Sequence, residues 1–283
     1  RSHDLERTVW YGERYYRIAP DKFYIKVPLT PTGFIAARRL SDSNVPVNFT
    51  LGFGARQNCL ATAVARPQFV NVFLGRLNSF VADNDLGPGD LVGEKTTASS
   101  QAVVRSIRGQ IGAETRQIAA SMRDAQQVLT LAGVDVITMP TSVAQGLENM
   151  DPDPGAIERR IDDEFAVMLA GDVDPQELPI HKLWTVPDGL RKLAIELGDE
   201  AQMLTPDSLI DRVRNAGFGD IFPEWTEDDI ATVEEDGKIP DYSKWRDRIA
   251  DGKVGIDALM NLSGLHYFAA DQAEMDNRIR SML

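Results

Sequence analysis

Between residues 23 and 139 short apolar runs alternate with helical stretches, and that rhythm constrains the fold more than any other feature of the chain. The runs fall at 23–29, 45–51, 68–74, 116–122 and 134–139. Helical patterns at 32–40, 55–65, 99–111 and 124–132 separate them, and Ser142 opens another. Strands joined through helices must run parallel, so the pattern predicts an α/β protein, either a barrel or an open doubly wound sheet. A helix over 1–19 precedes the first strand and is broken at Ala19, Pro20 and Asp21. A Gly-, Asp- and Pro-rich loop is expected from 78 to about 97.

The character changes after residue 150. Met150, Asp151, Pro152, Asp153 and Pro154 form a breaker cluster, followed by helical patterns at 155–169, 188–197, 206–216, 227–235, 242–250 and 254–283. Thr226 ahead of the acidic run Glu227 to Asp229 reads as a helix N-cap rather than a calcium loop. Trp184, Phe222, Trp225, Trp245, Tyr267 and Phe268 give this region apolar surface with which to pack on the sheet.

Composition excludes several classes. A formal net charge of -13 argues against general nucleic-acid binding, yet a few arginines can still make a local anion pocket. No apolar run reaches the length of a membrane span. No secretory leader is read at the start. The single cysteine, Cys59, sits in an amphipathic helical pattern and reads as a buried, inert thiol, which fits a cytoplasmic setting. With His3, His181 and His266 widely separated and no paired-cysteine motif, no metal site is read, and no phosphate-cradling glycine loop is present.

The strands themselves carry the chemistry. In the first, Lys26 stands inside an apolar run on one face with Tyr24 and Pro28. A lysine lining a barrel is desolvated, its amine pKa falls, and a neutral amine attacks a ketone to give an imine. The competing reading is an edge-strand lysine pointing to water. Asn48 and Thr50 share a face of the second strand, and Asn71 and Phe73 a face of the third, with Arg76 just beyond. Ser121 and Arg123 come at the end of the fourth. Polar residues thus recur at the C-terminal ends of four parallel strands, the rim where α/β barrels build active sites. Arg76 and Arg123 suit a phosphate, and Ser121 could donate a hydroxyl to the same anion.

These segments resemble the transaldolase family. IKVPLT-x-x-G (25–33), VNFTLGF-x-x-x-Q (47–57), FLGR (73–76), AASMRD (119–124) and LAGVDVIT (131–138) occur in the family's order, from its fourth barrel strand through its eighth. FAADQAEMDNRI (268–279) is similar to its C-terminal helix. The resemblance implies a (β/α)8 barrel, with residues 1–150 its C-terminal part and 151–283 a helical extension. It implies Lys26 as the Schiff-base lysine, with Thr50 holding the catalytic water and Asn48 binding substrate. Arg76, Arg123 and Ser121 would lie near the sugar phosphate. Phe73 matches the phenylalanine typical of transaldolases, where fructose-6-phosphate aldolases tend to have tyrosine. The implied activity is transfer of a dihydroxyacetone unit between ketose and aldose phosphates, in the manner of the pentose phosphate pathway, with no cofactor and no metal.

Two departures qualify the resemblance. Asn71 and Val72 stand where the family usually has a small residue and proline, so Asn71 either contacts a substrate hydroxyl or marks a changed substrate. The family's first three strands, with an aspartate, a Thr-Asn-Pro segment and a glutamate, have no matching motif here. They are expected from a longer chain or a second polypeptide, and a homodimer is the other expected association. The alternatives are an aldolase or transaldolase for another ketose, such as a sulfonated one, or a non-catalytic scaffold.

Overall fold

A computed structural model describes residues 4–282 of the chain, so His3 lies outside the described residues. Its centre is one all-parallel sheet. β1 (Ile25–Pro28), β2 (Val47–Thr50), β3 (Phe69–Phe73), β4 (Arg116–Ala120) and β5 (Val136–Ile137) lie side by side in chain order. Strands that follow chain order with a helix after each are the wall of a (β/α)8 barrel. Ahead of them comes α1 (Leu5–Ile18). The connecting helices are α2 (Pro31–Asp42), α3 (Ala55–Ala65), α4 (Leu74–Asp83), α5 (Val92–Ile111), α6 (Ala125–Thr130) and α7 (Thr141–Met150).

The two faces of the sheet differ because side chains alternate along each strand. Ile25, Val27, Val47, Phe49, Val70 and Val72 point toward the helices and are buried. Burying a side chain of this size stabilises the fold by about 1.5–3 kcal/mol. The opposite face carries Lys26, Pro28, Asn48, Thr50, Asn71 and Phe73. The ladder pairs Lys26 with Asn48 and Pro28 with Thr50, so these four share one face.

The helical region packs on this core. It comprises α8 (Asp188–Asp199), α9 (Pro206–Val213), α10 (Glu227–Asp236), α11 (Tyr242–Ala250) and α12 (Ile256–Arg280). Leu190, Leu197, Leu209 and Val213 join the same apolar cluster as Phe34 and Phe49. Trp245, Ile249 and Leu259 join the cluster of Leu74, Leu77 and Phe80. Arg56 on α3 reaches Asp220 and Asp257 at 2.9 Å each, and all three are buried. Asn261 on α12 donates to the carbonyls of Leu29 and Leu51 at 3.0 and 2.8 Å, which fastens α12 across the C-terminal ends of β1 and β2.

Several expectations change. The loop expected over 78–97 is shorter, because α4 runs to Asp83 and α5 begins at Val92. The helix expected over 155–169 is absent beyond a single turn, Pro154–Ala156. Its backbone bonds go to the barrel instead: the N–H groups of Arg160 and Ile161 donate to Ala132 O, and that of Ala170 to Leu86 O. Ile161 and Phe165 are buried there, Val167 and Leu169 pack partly against the same core, and Ile157 and Met168 stay exposed. The fourth strand stops at Ala120, since Ser121 turns into the left-handed region at φ 67°. The capped start at Thr226 stands, the side chains of Thr226 and Asp229 each accepting from the other's backbone N–H. Cys59 is buried, and burial pushes its thiol up to about 12. Among the described residues no helix is long and apolar enough to cross a membrane, and no group of acidic, His or Cys side chains could hold a metal ion.

Candidate active site

The turn after β1 is set by three neighbouring residues. Thr30 caps α2, its hydroxyl accepting from Gly33 N at 3.0 Å, and Pro31 occupies the first turn, where its missing N–H costs nothing. A Cβ on Gly33 would come within 2.0 Å of Pro28 O, so only glycine lets α2 start so close to the strand. The same device follows β2, where a Cβ on Gly52 would sit 2.1 Å from Asn71 O.

Lys26 opens from β1 into a cavity of about 550 Å³ lined by Pro28, Thr50 and Leu51 and, from α12, by Leu265, Phe268, Ala269, Gln272 and Asp276. Lys26 is more exposed than the sequence suggested, because its face of the sheet borders this open cavity rather than a packed layer. The surrounding protein still removes enough water to lower its pKa below the ordinary lysine value. Beside it, Asn48 Oδ1 and Thr50 Oγ1 are buried without a hydrogen-bond partner among the described residues. Two unspent polar atoms on the face of a desolvated amine are the groups with which such a site can hold a hydroxyl or a water.

Arg76 lies in the first turn of α4, one helix turn past β3, and is only 4% exposed. Its guanidinium carbon is 5.7 Å from the ring centre of Phe73, 5.6 Å from that of Tyr267 and 5.6 Å from that of Phe268. Such contacts contribute about 0.5–2 kcal/mol each. No carboxylate pairs with Arg76 among the described residues, and its Nη1 is buried without a partner. Burial lowers its pKa, and the nearby charge of Arg123 adds to the effect, though a guanidinium remains protonated in any case. Glycines make the room. A Cβ on Gly264 would stand 3.2 Å from Arg76 Nη1, and one on Gly75 would meet Arg123 Nε at 2.8 Å and the Ser121 carbonyl at 2.2 Å. The Arg123 side chain and the Ser121 backbone carbonyl therefore both lie against Gly75, the residue before Arg76.

Asn71 is placed differently from the other polar strand residues. Its Oδ1 accepts from Gly52 N at 3.0 Å, and its Nδ2 donates to Phe49 O. Both ends of the amide are taken by backbone, so Asn71 ties β3 to the loop after β2. A chain of supporting residues escaped sequence reasoning. Glu94 is buried, accepts from Asn78 and from Gln127 at 2.8 Å, and Gln127 in turn accepts from Arg123 N at 2.7 Å. Burial raises the Glu94 pKa despite these donors. The spacing of Gln127 four residues after Arg123, within a capped helix start, was the one available signal. Phe268 and Tyr267 read in the sequence only as packing aromatics.

The wall of the α/β sheet thus presents a lysine of lowered pKa on one face, and an arginine without a carboxylate partner among the described residues one turn past the third strand. The sequence model described as transaldolase/fructose-6-phosphate aldolase matches residues 1–176. The chain belongs to that family. It is 36% identical over 148 residues to a probable transaldolase of Ruegeria sp., covering 52% of this chain and 61% of that one. A probable transaldolase of Exiguobacterium sibiricum is 36% identical over 162 residues, 56% of this chain and 68% of that one. The transaldolase of Chlamydia trachomatis is 29% identical over 176 residues, 62% of this chain and 52% of that one. The chain thus spans a little more than half to two thirds of the length of these curated relatives.

Proposed function

We propose that the chain carries the imine-forming part of a transaldolase, moving a dihydroxyacetone unit from a ketose phosphate to an aldose phosphate through Lys26. One observation supports this reading above others. Lys26 and Thr50 face a cavity whose wall includes Phe268, and the same ring packs on the unpaired Arg76. A nucleophile and an anion anchor thus flank one aromatic side chain.

The neutral amine of Lys26 adds to the C2 ketone, and loss of water leaves a protonated imine. The C3–C4 bond then breaks. Its electron pair moves into the iminium as an enamine, the 4-hydroxyl gives up its proton through the water held by Thr50, and the aldose phosphate departs. The enamine attacks an acceptor aldehyde, whose oxygen takes a proton back, and hydrolysis frees Lys26 and the new ketose. Arg76 and Arg123 hold the phosphate, Ser121 adds a hydroxyl, Asn48 binds the donor, and Phe73 lines the approach. In this reading residues 1–150 belong to the barrel, completed by further strands of a longer chain or a second polypeptide, and 151–283 form the covering extension. A cytoplasmic location fits the single buried Cys59.

Phe73 favours transfer over free aldol cleavage. The distinguishing experiment supplies fructose 6-phosphate with and without erythrose 4-phosphate and follows glyceraldehyde 3-phosphate. Release that requires the acceptor supports transfer. Equal release without it would replace transfer by cleavage.

A further inference from the structure

We propose that Lys238 is the third cation of the anion site and sets its preference for a phosphate dianion over a monoanionic sulfonate. The inference rests on the sugar-phosphate reading above and goes beyond the two arginines that reading uses. Lys238 lies outside every motif that resembles the family, in the turn between α10 and α11.

The Lys238 ammonium stands 5.6 Å from the ring centre of Tyr267, and the Arg76 guanidinium carbon stands 5.6 Å from the same ring. One aromatic ring therefore gathers both cations. The turn that carries Lys238 is fixed on two sides. Ser263 Oγ of α12 lies 2.7 Å from Gly237 O and 3.0 Å from Lys238 O. Asn84, at the end of α4, donates to Pro240 O at 3.0 Å. Gly237 makes the turn, with φ at 74°. Among the described residues Lys238 has no salt-bridge partner, nor do Arg76 and Arg123. Three cations are thus held near one another, and Arg76 Nη1 is buried without a hydrogen-bond partner among the described residues. Desolvation lowers the Lys238 pKa, and the charges of Arg76 and then Arg123 lower it further; the carboxylate of Asp271 acts the other way.

The charge balance favours a dianion. Arg76, Arg123 and Lys238 supply three positive charges, and Asp271 is the acidic group near both Arg76 and Lys238. Three less one leaves two, the charge of a phosphate ester above its second ionisation. A sulfonate would neutralise only half of it. Because Coulomb energy scales with the product of charges, removing Lys238 should cost a dianion about twice as much free energy as a monoanion.

The test measures binding of inorganic phosphate and of methanesulfonate to the full chain by calorimetry at pH 8. It compares the unaltered protein with Lys238→Met, Lys238→Arg and, as a control on a distant exposed lysine, Lys253→Met. A charge-assisted contact of this kind predicts about tenfold weaker phosphate binding in Lys238→Met and about threefold weaker methanesulfonate binding. Lys238→Arg should recover most of the loss, and Lys253→Met should match the parent. Equal losses for both anions, no loss for either, or no phosphate binding to the parent protein would overturn the proposal. Phosphate binding that depends on Lys238 in a protein forming no imine at Lys26 would leave this inference standing and reject the proposed reaction.

Discussion

The ring of Phe268 stands 5.6 Å from the guanidinium carbon of Arg76 and at the same time walls the cavity into which Lys26 opens. Lys26 and Arg76 are thereby linked through one residue of α12, an element far along the chain from both. Asn261 fixes the height of α12 over the strands by bonding to the carbonyls of Leu29 and Leu51, so the position of Phe268 is set by the sheet itself.

Replacing the anchor should separate phosphate recognition from imine chemistry. In Arg76→Met the loss of a charge-assisted contact of about 1.5–3 kcal/mol predicts a tenfold to hundredfold fall in kcat/KM for fructose 6-phosphate. Imine formation with dihydroxyacetone, which lacks the phosphate, should change little. Steady-state kinetics on the two compounds check this.

Thr50 has a different signature. Its unspent hydroxyl is assigned to the water that relays protons, so Thr50→Val should lower kcat by about 10²-fold and leave KM nearly unchanged. Trapping of the imine should survive, since Lys26 itself is untouched. A variant that lost binding and kept kcat would move Thr50 from proton relay to substrate contact.

The lowered pKa of Lys26 fixes the sign of a pH dependence. The ammonium is inert and the neutral amine attacks. The rate of imine trapping should therefore rise with pH through a midpoint below that of an unperturbed lysine, which is about 10.4. Because desolvation causes the shift, added salt should move that midpoint little. A midpoint at the unperturbed value would mean that the cavity does not activate the amine.

Stability is concentrated where the extension meets the barrel. Arg56→Met would leave Asp220 and Asp257 buried without their guanidinium, although Lys182 still reaches Asp220 at 3.0 Å. The expected cost is about 3–5 kcal/mol, read as a lower urea midpoint. Asp257 is fully buried, and burial raises its pKa, so part of that cost can be relieved by protonation. The deficit should accordingly be smaller at pH 5 than at pH 8.

Much of the barrel was readable because its signals are local. The alternation of Val, Ile and Phe with polar residues gave all five strands, and glycines at 33 and 52 sit where a Cβ would strike backbone. Lys26 was legible inside the first strand, and Thr50, Arg76 and Arg123 at or just past strand ends. Their environment was not. Lys26 is more open than a lysine in a filled barrel, and the aromatic box around Arg76 depends on Tyr267 and Phe268 of a helix that periodicity cannot place. Asn71 looked like a substrate contact, but its partners are the Gly52 N–H and the Phe49 carbonyl. Residues 157–169 have helical spacing and no helix; Arg160 and Ile161 donate to the Ala132 carbonyl instead, and Ala170 just beyond them to that of Leu86. Lys238 carries no signal in the sequence, since its meaning comes only from the ring it shares with Arg76.

The central claim is that Lys26 forms an imine with a ketose phosphate. The direct measurement is intact mass after incubation with fructose 6-phosphate and sodium borohydride, with Lys26→Ala alongside. One reduced dihydroxyacetone adduct on the parent protein and none on the variant is the predicted result. An unmodified parent, or an adduct of the same mass on Lys26→Ala, would contradict it.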